Sequence, residues 1–210
     1  MENRTYSASH RPTIELVVML AITLGVFIWS AIAPHDRLTW WLEVSPVPIG
    51  LILLIATYRR FPLTALLYWL IVLHGIILMV GGHYTYANVP AGLWFQEAFD
   101  LSRNHYDRLG HFAQGFIPAI LAREILLRKS PLRPGKWLFV LTGCVCLAFS
   151  AFYEMIEWWA ALIGGGDADA FLGTQGDVWD TQWDMFLALT GAITAQLTLG
   201  GLHTRLLEGR

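Results

Sequence analysis

The strongest constraint on this chain is a series of apolar runs, each close to the length of about 20 residues with which an α-helix crosses a bilayer. Hydrophobic residues make up 55% of the 210 residues and charged residues only 14%. The runs occupy residues 14–33, 40–58, 62–82, 109–127, 137–160 and 183–202. The sequence therefore predicts an all-α polytopic membrane protein, with a bundle of about six transmembrane helices in a single integral-membrane domain over residues 1–210.

The first two runs each have a feature that could argue against a span. Arg4 and Arg11 precede the first run, which ends in Ala31-Ile32-Ala33, a pattern that resembles a signal-peptide cleavage site. The apolar stretch is longer than the core of a usual signal peptide, which favours a retained span. Pro46 and Pro48 interrupt the second run, but a helical bundle can satisfy the backbone groups that a proline leaves unpaired.

The distribution of basic residues predicts the orientation, because Lys and Arg accumulate in cytoplasmic loops. An amino terminus inside the cell leaves only Arg37, Arg103 and Arg108 outside. The other eleven basic residues are then cytoplasmic: Arg4, Arg11, Arg59, Arg60, Arg123, Arg128, Lys129, Arg133, Lys136, Arg205 and Arg210. We therefore expect a multi-pass membrane protein with both termini in the cytoplasm. The bilayer is its expected partner, and no motif suggests that it binds nucleic acid.

Acidic and histidine side chains recur at the outer ends of four runs. "YDRLGHFAQGF" contains Asp107 and His111, and "FYEMIEWW" contains Glu154 and Glu157. "GTQGDVWDTQWD" contains Asp177, Asp180 and Asp184, and His83 follows Gly81-Gly82. Steps of three and four residues place side chains on one face of a helix. The pattern therefore predicts that several helices bring polar groups to one outward-facing site.

Such a site needs counter-charges, because ionisable groups in a membrane span are costly and close carboxylates repel one another. The outer cations are few, since Arg108 is adjacent and Arg103 is the other candidate. A divalent metal would balance the charge, and mixed carboxylate and imidazole ligands suit Zn, Mn, Fe or Mg. The candidate ligands are His111, Glu154, Asp180, Asp184 and His83, and no other cofactor is expected.

A metal in this position predicts a hydrolase or transferase, because a bound metal lowers the pKa of a coordinated water. In this hypothesis Asp107 orients His111 from the second coordination sphere. Asp177 or Glu157 would move the proton. The substrate would come from the outer leaflet or the envelope, for example a lipid-linked phosphate or glycan. The sequence does not specify the reaction, and so the enzyme class stays open.

Two other interpretations account for the same residues. The acids could form a non-catalytic network, in which Asp107 stabilises a helix start and a structural ion or the acids themselves hold the helix ends in register. The protein could also be a proton or cation transporter, but then polar residues should continue across the membrane. Below the cluster, only Gln114, His74 and scattered threonines offer such a path.

Three further expectations concern helices and surfaces. "GLWFQEAFDLSRN", residues 92–104, could form an amphipathic surface helix. Gly191, Ala192 and Ala195 are small and are expected to be contacts between helices. His203 is expected at the surface.

Three sequence blocks resemble a known family: "HYDRLGHFAQGFIPAILAREI", "FYEMIEWW" and "GTQGDVWDTQWDM". In this order they resemble the YjdF-like family of bacterial inner-membrane proteins, over nearly the whole chain. A looser similarity connects them to VanZ-like membrane proteins, but Glu157 stands where that pattern has Gln and Asp184 where it has Asn. The resemblance implies a location in the bacterial inner membrane and a multi-pass helical fold. It implies no reaction.

Overall fold

The described part of the molecule, residues 13–164 and 174–209 of a computed structural model, is helical and contains no strand. The helices are α1 (Thr13–Ala31), α2 (Arg37–Val44), α3 (Pro46–Thr57), α4 (Ala65–Tyr84), α5 (Pro90–Ala98), α6 (Tyr106–Lys129), α7 (Lys136–Gly164) and α8 (Asp180–Leu207). The predicted all-α class is confirmed. Arg4, Arg11 and Arg210, which contributed to the predicted orientation, lie outside the described residues.

Five helical segments within the described ranges are long and apolar enough to cross a membrane. They are α1, α2 together with α3, α4, α7 and α8. The second segment breaks between Val44 and Pro46, where proline occupies the first turn of α3 and has no N–H to continue the hydrogen bonds of α2. These five segments correspond to five of the six predicted runs.

Helix α6, which contains the run 109–127, is 24 residues long but too polar to be among the five. It packs against α4, α7 and α8, and its buried residues include Ala113, Ile117, Ala119 and Ile120. A helix that its neighbours shield in this way needs no fully apolar surface. The sixth span therefore stays a prediction, and it coincides with the helix at the centre of the bundle.

Helices α6 and α8 cross with their backbones in contact. A Cβ atom at Gly115 would collide with the carbonyl oxygen of Ala188, and one at Gly191 would collide with the carbonyl oxygen of Phe112. Ala192 and Ala195 are fully buried beside this crossing. The expectation that Gly191, Ala192 and Ala195 contact another helix is confirmed.

A buried polar network ties together the end of the bundle that carries Arg59, Arg60 and Lys129. Glu124 accepts hydrogen bonds from Thr64 Oγ1 at 2.9 Å and from Arg128 at 2.8 Å, and its Oε2 lies 3.0 Å from His203 Nε2. The surface expectation for His203 is wrong, because its side chain is fully buried against Glu124. The network joins α6 to α8 and to the start of α4.

Helix α5 is shorter than the predicted segment 92–104. It begins at Pro90 and ends at Ala98, and Asp100 follows with a φ of 51° that a helix cannot accommodate. The remaining residues, 99–105, form the loop that carries Arg103 towards the buried acids.

Candidate functional site

The ends of four helices bring six carboxyl groups together inside the protein. They come from α2, the start of α6, the end of α7 and the start of α8, and each is less than 9% exposed: Glu43, Asp107, Glu154, Glu157, Asp180 and Asp184. His111 and Arg103 are buried among them. We call these six acids and His111 the acidic cluster.

Local helix geometry explains most of this convergence. Asp107 and His111 lie one turn apart in the first turns of α6, and Asp180 and Asp184 lie one turn apart at the start of α8. Because α6 and α8 touch through their backbones, His111 Nε2 comes within 3.7 Å of Asp184 Oδ2. The sequence expectation that separate helices meet in one polar site is supported by this contact.

Three side chains are close enough to share one metal ion. His111 Nε2 lies 3.5 Å from Asp107 Oδ1, and Asp107, His111 and Asp184 each offer a ligand atom within 4.8 Å of the others. Zinc binds nitrogen and oxygen ligands at about 2.0–2.2 Å, so a small inward movement would let all three reach one ion. Glu154 Oε1 lies 3.8 Å from His111 Nδ1, on the other side of the ring.

The hydrogen bonding of His111 suits a ligand role. Its Nδ1 lies 3.0 Å from Gln114 Oε1, an oxygen that can only accept. A neutral His111 that donates from Nδ1 to Gln114 would present the lone pair of Nε2 to the space between Asp107 and Asp184. Histidines that bind metals are commonly fixed in this way through their second ring nitrogen.

Several carboxylate oxygens in the cluster are buried and lack a hydrogen-bond donor. They are Asp107 Oδ2, Glu154 Oε1 and Asp184 Oδ1. None of them has a hydrogen-bond partner within residues 13–164 and 174–209, although Arg103 Nη2 lies 3.6 Å from Asp107 Oδ2 as an ion pair. A buried charged acceptor without a partner is costly, and native proteins rarely keep one. The cluster is therefore short of hydrogen-bond donors around the position where the three ligand atoms converge.

Three of the predicted site residues, Asp107, Asp177 and Asp180, are paired with Arg103 or Arg108. Arg103 hydrogen-bonds Asp180, and its Nη2 lies 3.6 Å from Asp107 Oδ2. Arg108 Nη2 lies 2.8 Å from Asp177 Oδ2, and its guanidinium covers the ring of Trp183 at 5.2 Å. Asp180 and Asp177 thus face guanidinium groups, outside the group formed by Asp107, His111 and Asp184.

Two loops clamp Arg103 in place. The Gln175 side chain accepts from Asn104 N at 3.0 Å and donates to Asn104 O at 2.9 Å, which ties the loop before α6 to the loop before α8. The same surroundings affect the pKa of the adjacent His105. Burial lowers its pKa, and the neighbouring charges of Arg108 and Arg103 lower it further.

His83, a predicted metal ligand, lies elsewhere. Its Nδ1 is 3.0 Å from the carbonyl oxygen of Ser30, and its ring stacks near Trp29 with a centroid distance of 4.5 Å. The structure does not bring it to the three ligand atoms. Glu157, a predicted proton carrier, is buried one turn beyond Glu154. Its carboxylate and those of Glu154 and Glu43 repel one another when charged.

Glu43 is the site residue that sequence reasoning missed. It is 6% exposed, and the Tyr153 hydroxyl donates a hydrogen bond of 3.3 Å to its Oε2. Helix α2 can approach α4 this closely because Gly82 has no side chain. A Cβ at Gly82 would lie only 2.8 Å from Val44 Cγ2 and 3.2 Å from Glu43 Cβ. The signal was available, since Glu43 is an acid inside the apolar run 40–58.

The helical architecture and the buried acidic cluster define a multi-pass membrane protein with a polar site at one end of its bundle. The chain belongs to the family described as "Predicted membrane protein (DUF2238)", whose model matches residues 15–205. "Inner membrane protein YjdF" of Escherichia coli (strain K12) is 57% identical over 198 residues, which cover 94% of each chain. The resemblance expected from the three sequence blocks is confirmed. No solved structure matches the chain.

Proposed function

We propose that the acidic cluster binds a divalent metal ion and that the protein is a metal-dependent hydrolase or transferase for an envelope or lipid-linked substrate. Asp107, His111 and Asp184 would hold the ion, so that Asp107 would be a ligand itself instead of orienting His111 from the second coordination sphere. The observation that supports this best is the grouping of their three ligand atoms within 4.8 Å, beside buried carboxylate oxygens that lack donors. The ion would supply an acidic coordinated water near neutral pH.

The surrounding residues suit the proton transfers and substrate binding of such a reaction. Glu154 lies 3.8 Å from the imidazole of His111 and has an oxygen without a donor, which suits a fourth ligand or a general base. Glu157, one turn further along α7, would pass the proton onwards. Arg108 at the mouth is partly exposed, and its charge suits a phosphate-bearing substrate.

The orientation supports a substrate from the outer leaflet or the envelope. Glu154, Glu157 and the start of α8 lie at the end of the bundle opposite Arg59 and Arg60, so a cytoplasmic arginine-rich end would direct the cluster outwards. Exposed Trp158, Trp179 and Trp183 near this end suit contact with lipid headgroups. Both termini would then be cytoplasmic in the bacterial inner membrane.

The reaction can be tested with purified full-length protein in detergent, loaded with zinc or manganese and given a polyprenyl diphosphate. We expect release of inorganic phosphate that stops on chelation and falls roughly 100-fold or more in His111→Ala. His35→Ala, at an exposed histidine outside the cluster, is the matched control and should keep full activity. Equal phosphate release with and without metal would refute the proposed chemistry for this substrate class.

A non-catalytic role is favoured by the pairing of Arg103 with Asp180, which already links the loop before α6 to α8. In that role a bound ion, or the acids alone, would hold the ends of α6, α7 and α8 in register. Such a protein would bind metal, or fold without it, and would turn over no substrate. Loss of stability in Asp184→Asn without any measurable activity in the parent protein would favour this role.

A transport role is favoured by buried hydroxyl groups on α7, on the amino-terminal side of Glu154. Ser150 and Thr142 precede Glu154 by 4 and 12 residues, and neither hydroxyl has a hydrogen-bond partner within the described ranges. The buried thiol of Cys146 separates them, which makes a poor relay for protons. A proton flux into liposomes that Ser150→Ala abolishes would favour transport over hydrolysis.

A further inference from the structure

A large apolar cleft opens between α1, α3 and α4, away from the acidic cluster. Its volume is about 810 Å³, and most of its lining is apolar. Leu16 and Leu20 contribute from α1, Leu54 from α3, and Ile71 and Leu78 from α4. A cavity of this size falls within the range of about 300–1,000 Å³ that holds small-molecule ligands.

The cleft exists because α3 packs only partly against the rest of the bundle, through residues such as Val47 and Leu54. None of the residues of α3 is buried, and its side of the cleft includes Gly50, which has no side chain to fill the space. A Cβ added at Gly50 would meet no atom within 4 Å. The adjoining wall of α4 is also indented at Gly75, where an added Cβ would have its nearest contacts at 3.8 Å.

Two arginines border the cleft where α3 ends. Arg59 and Arg60 line its mouth with exposed side chains, which form no hydrogen bond or ion pair with the part of the chain that the structure describes. They lie in the connection between Thr57 and Ala65, at the arginine-rich end of the bundle. An apolar space that leads to a pair of exposed guanidinium groups matches a molecule with an apolar tail and an anionic head.

We propose that this cleft binds one anionic phospholipid, with an acyl chain between α1, α3 and α4 and its phosphate at Arg59 and Arg60. Helices α1, α3 and α4 all belong to segments apolar enough to cross a membrane, so the cleft opens towards acyl chains. A lipid tail would restore the packing that α3 lacks. The two arginines would give preference to an anionic over a zwitterionic headgroup.

His74 provides an internal check on the kind of molecule that occupies the cleft. It lines the cleft nine residues into α4, roughly 14 Å from Ala65 along the helix axis. Its Nε2 is buried and has no hydrogen-bond partner among the described residues. An acyl chain at this depth offers no polar partner, so His74→Leu should retain the lipid as well as the parent protein does or better.

Native mass spectrometry of the full-length protein, purified in detergent and mixed with phosphatidylglycerol or phosphatidylcholine of the same chain length, tests the proposal. We expect one retained phosphatidylglycerol per chain, in preference to phosphatidylcholine. Gly50→Phe fills the cleft and should abolish retention. Gly25→Phe is the matched control, because Gly25 is exposed on α1 outside the cleft, has nothing within 4 Å of an added Cβ, and should retain the lipid.

The double variant Arg59→Gln with Arg60→Gln tests the headgroup separately from the acyl chain. It should reduce the preference for phosphatidylglycerol by roughly thirtyfold, since each basic residue contributes about 1 kcal/mol near anionic lipid. The proposal is overturned if the parent protein retains both lipids equally, or if Gly50→Phe retains as much as Gly25→Phe. Loss of lipid in His74→Leu, or a protein dimer that only Gly50→Phe disrupts, would likewise overturn it.

Discussion

Replacing Gly115 with alanine should push α6 away from α8 and separate His111 from Asp184. The added Cβ would collide with the backbone carbonyl of Ala188, which cannot turn aside as a flexible side chain can. Only a shift of one whole helix relieves the contact. That shift would widen the distance of 3.7 Å between His111 Nε2 and Asp184 Oδ2, and with it the spacing of the proposed metal ligands.

The size of the effect follows from two opposing terms. Overpacking a well-packed contact costs typically 1–3 kcal/mol, whereas glycine to alanine inside a helix gains roughly 0.5–1 kcal/mol. We therefore expect Gly115→Ala to lower the free energy of unfolding by about 1–2 kcal/mol. Gly143→Ala should show only the gain in helix stability and no overpacking cost, because its Cβ would meet Leu189 Cδ1 at an ordinary 3.7 Å.

Unfolding by SDS in mixed micelles measures the stability of both variants, and zinc titration of the folded proteins measures the site. Gly143→Ala should be as stable as the parent protein or slightly more stable, with unchanged zinc affinity. Gly115→Ala should be less stable and should bind zinc roughly tenfold more weakly or worse, as when a ligand loses its supporting contacts. If the two variants behave alike in both measurements, the close crossing of α6 and α8 does not position the site.

Three other substitutions test separate parts of the fold. Glu124→Gln removes the buried partner of Arg128, so we expect a loss of about 3–5 kcal/mol in SDS unfolding, against near-zero loss for the exposed Glu97→Gln. Asp36→Ala removes the acceptor for Thr39 N at 2.7 Å and should cost about 1 kcal/mol. This hydrogen bond lowers the pKa of Asp36 in the folded protein. Its contribution to stability is therefore present above the pKa that Asp36 has in the unfolded chain, and it is lost as the pH falls through the pKa of the folded protein. A pH series of SDS unfolding that shows the opposite trend contradicts this. Arg103→Gln should destabilise the protein, and added zinc should offset part of the loss if the cluster binds the ion; an equal loss with and without zinc contradicts that coupling.

The sequence was most informative where the relevant geometry is local to one helix. The pairs Asp107 with His111 and Asp180 with Asp184 share a face because of helical periodicity alone, and the structure buries all four. The sequence also predicted that acidic and histidine side chains of separate helices would meet, because ionisable groups in apolar runs are costly and need partners. The glycine at Gly115, which sets how closely the helices meet, had no evident role in the sequence.

The parts that escaped prediction depend on contacts between distant segments. Glu43 reaches the cluster because α2 packs onto Gly82, and Arg103 reaches Asp180 because Gln175 clamps Asn104. His203 is buried because Glu124 of another helix offers it a partner. None of these pairings has a spacing along the chain that could reveal it, since each is fixed by the packing of helices or the conformation of loops.

The metal content of the purified protein decides whether the acidic cluster is a metal site. Elemental analysis after equilibration with zinc or manganese and removal of loosely bound ions should find one ion per chain in the parent protein and in Asp177→Asn, whose carboxyl group lies with Arg108. Asp184→Asn should lose the ion while remaining folded in detergent. A parent protein that retains no metal, or an Asp184→Asn variant that retains as much as Asp177→Asn, would contradict the proposed site.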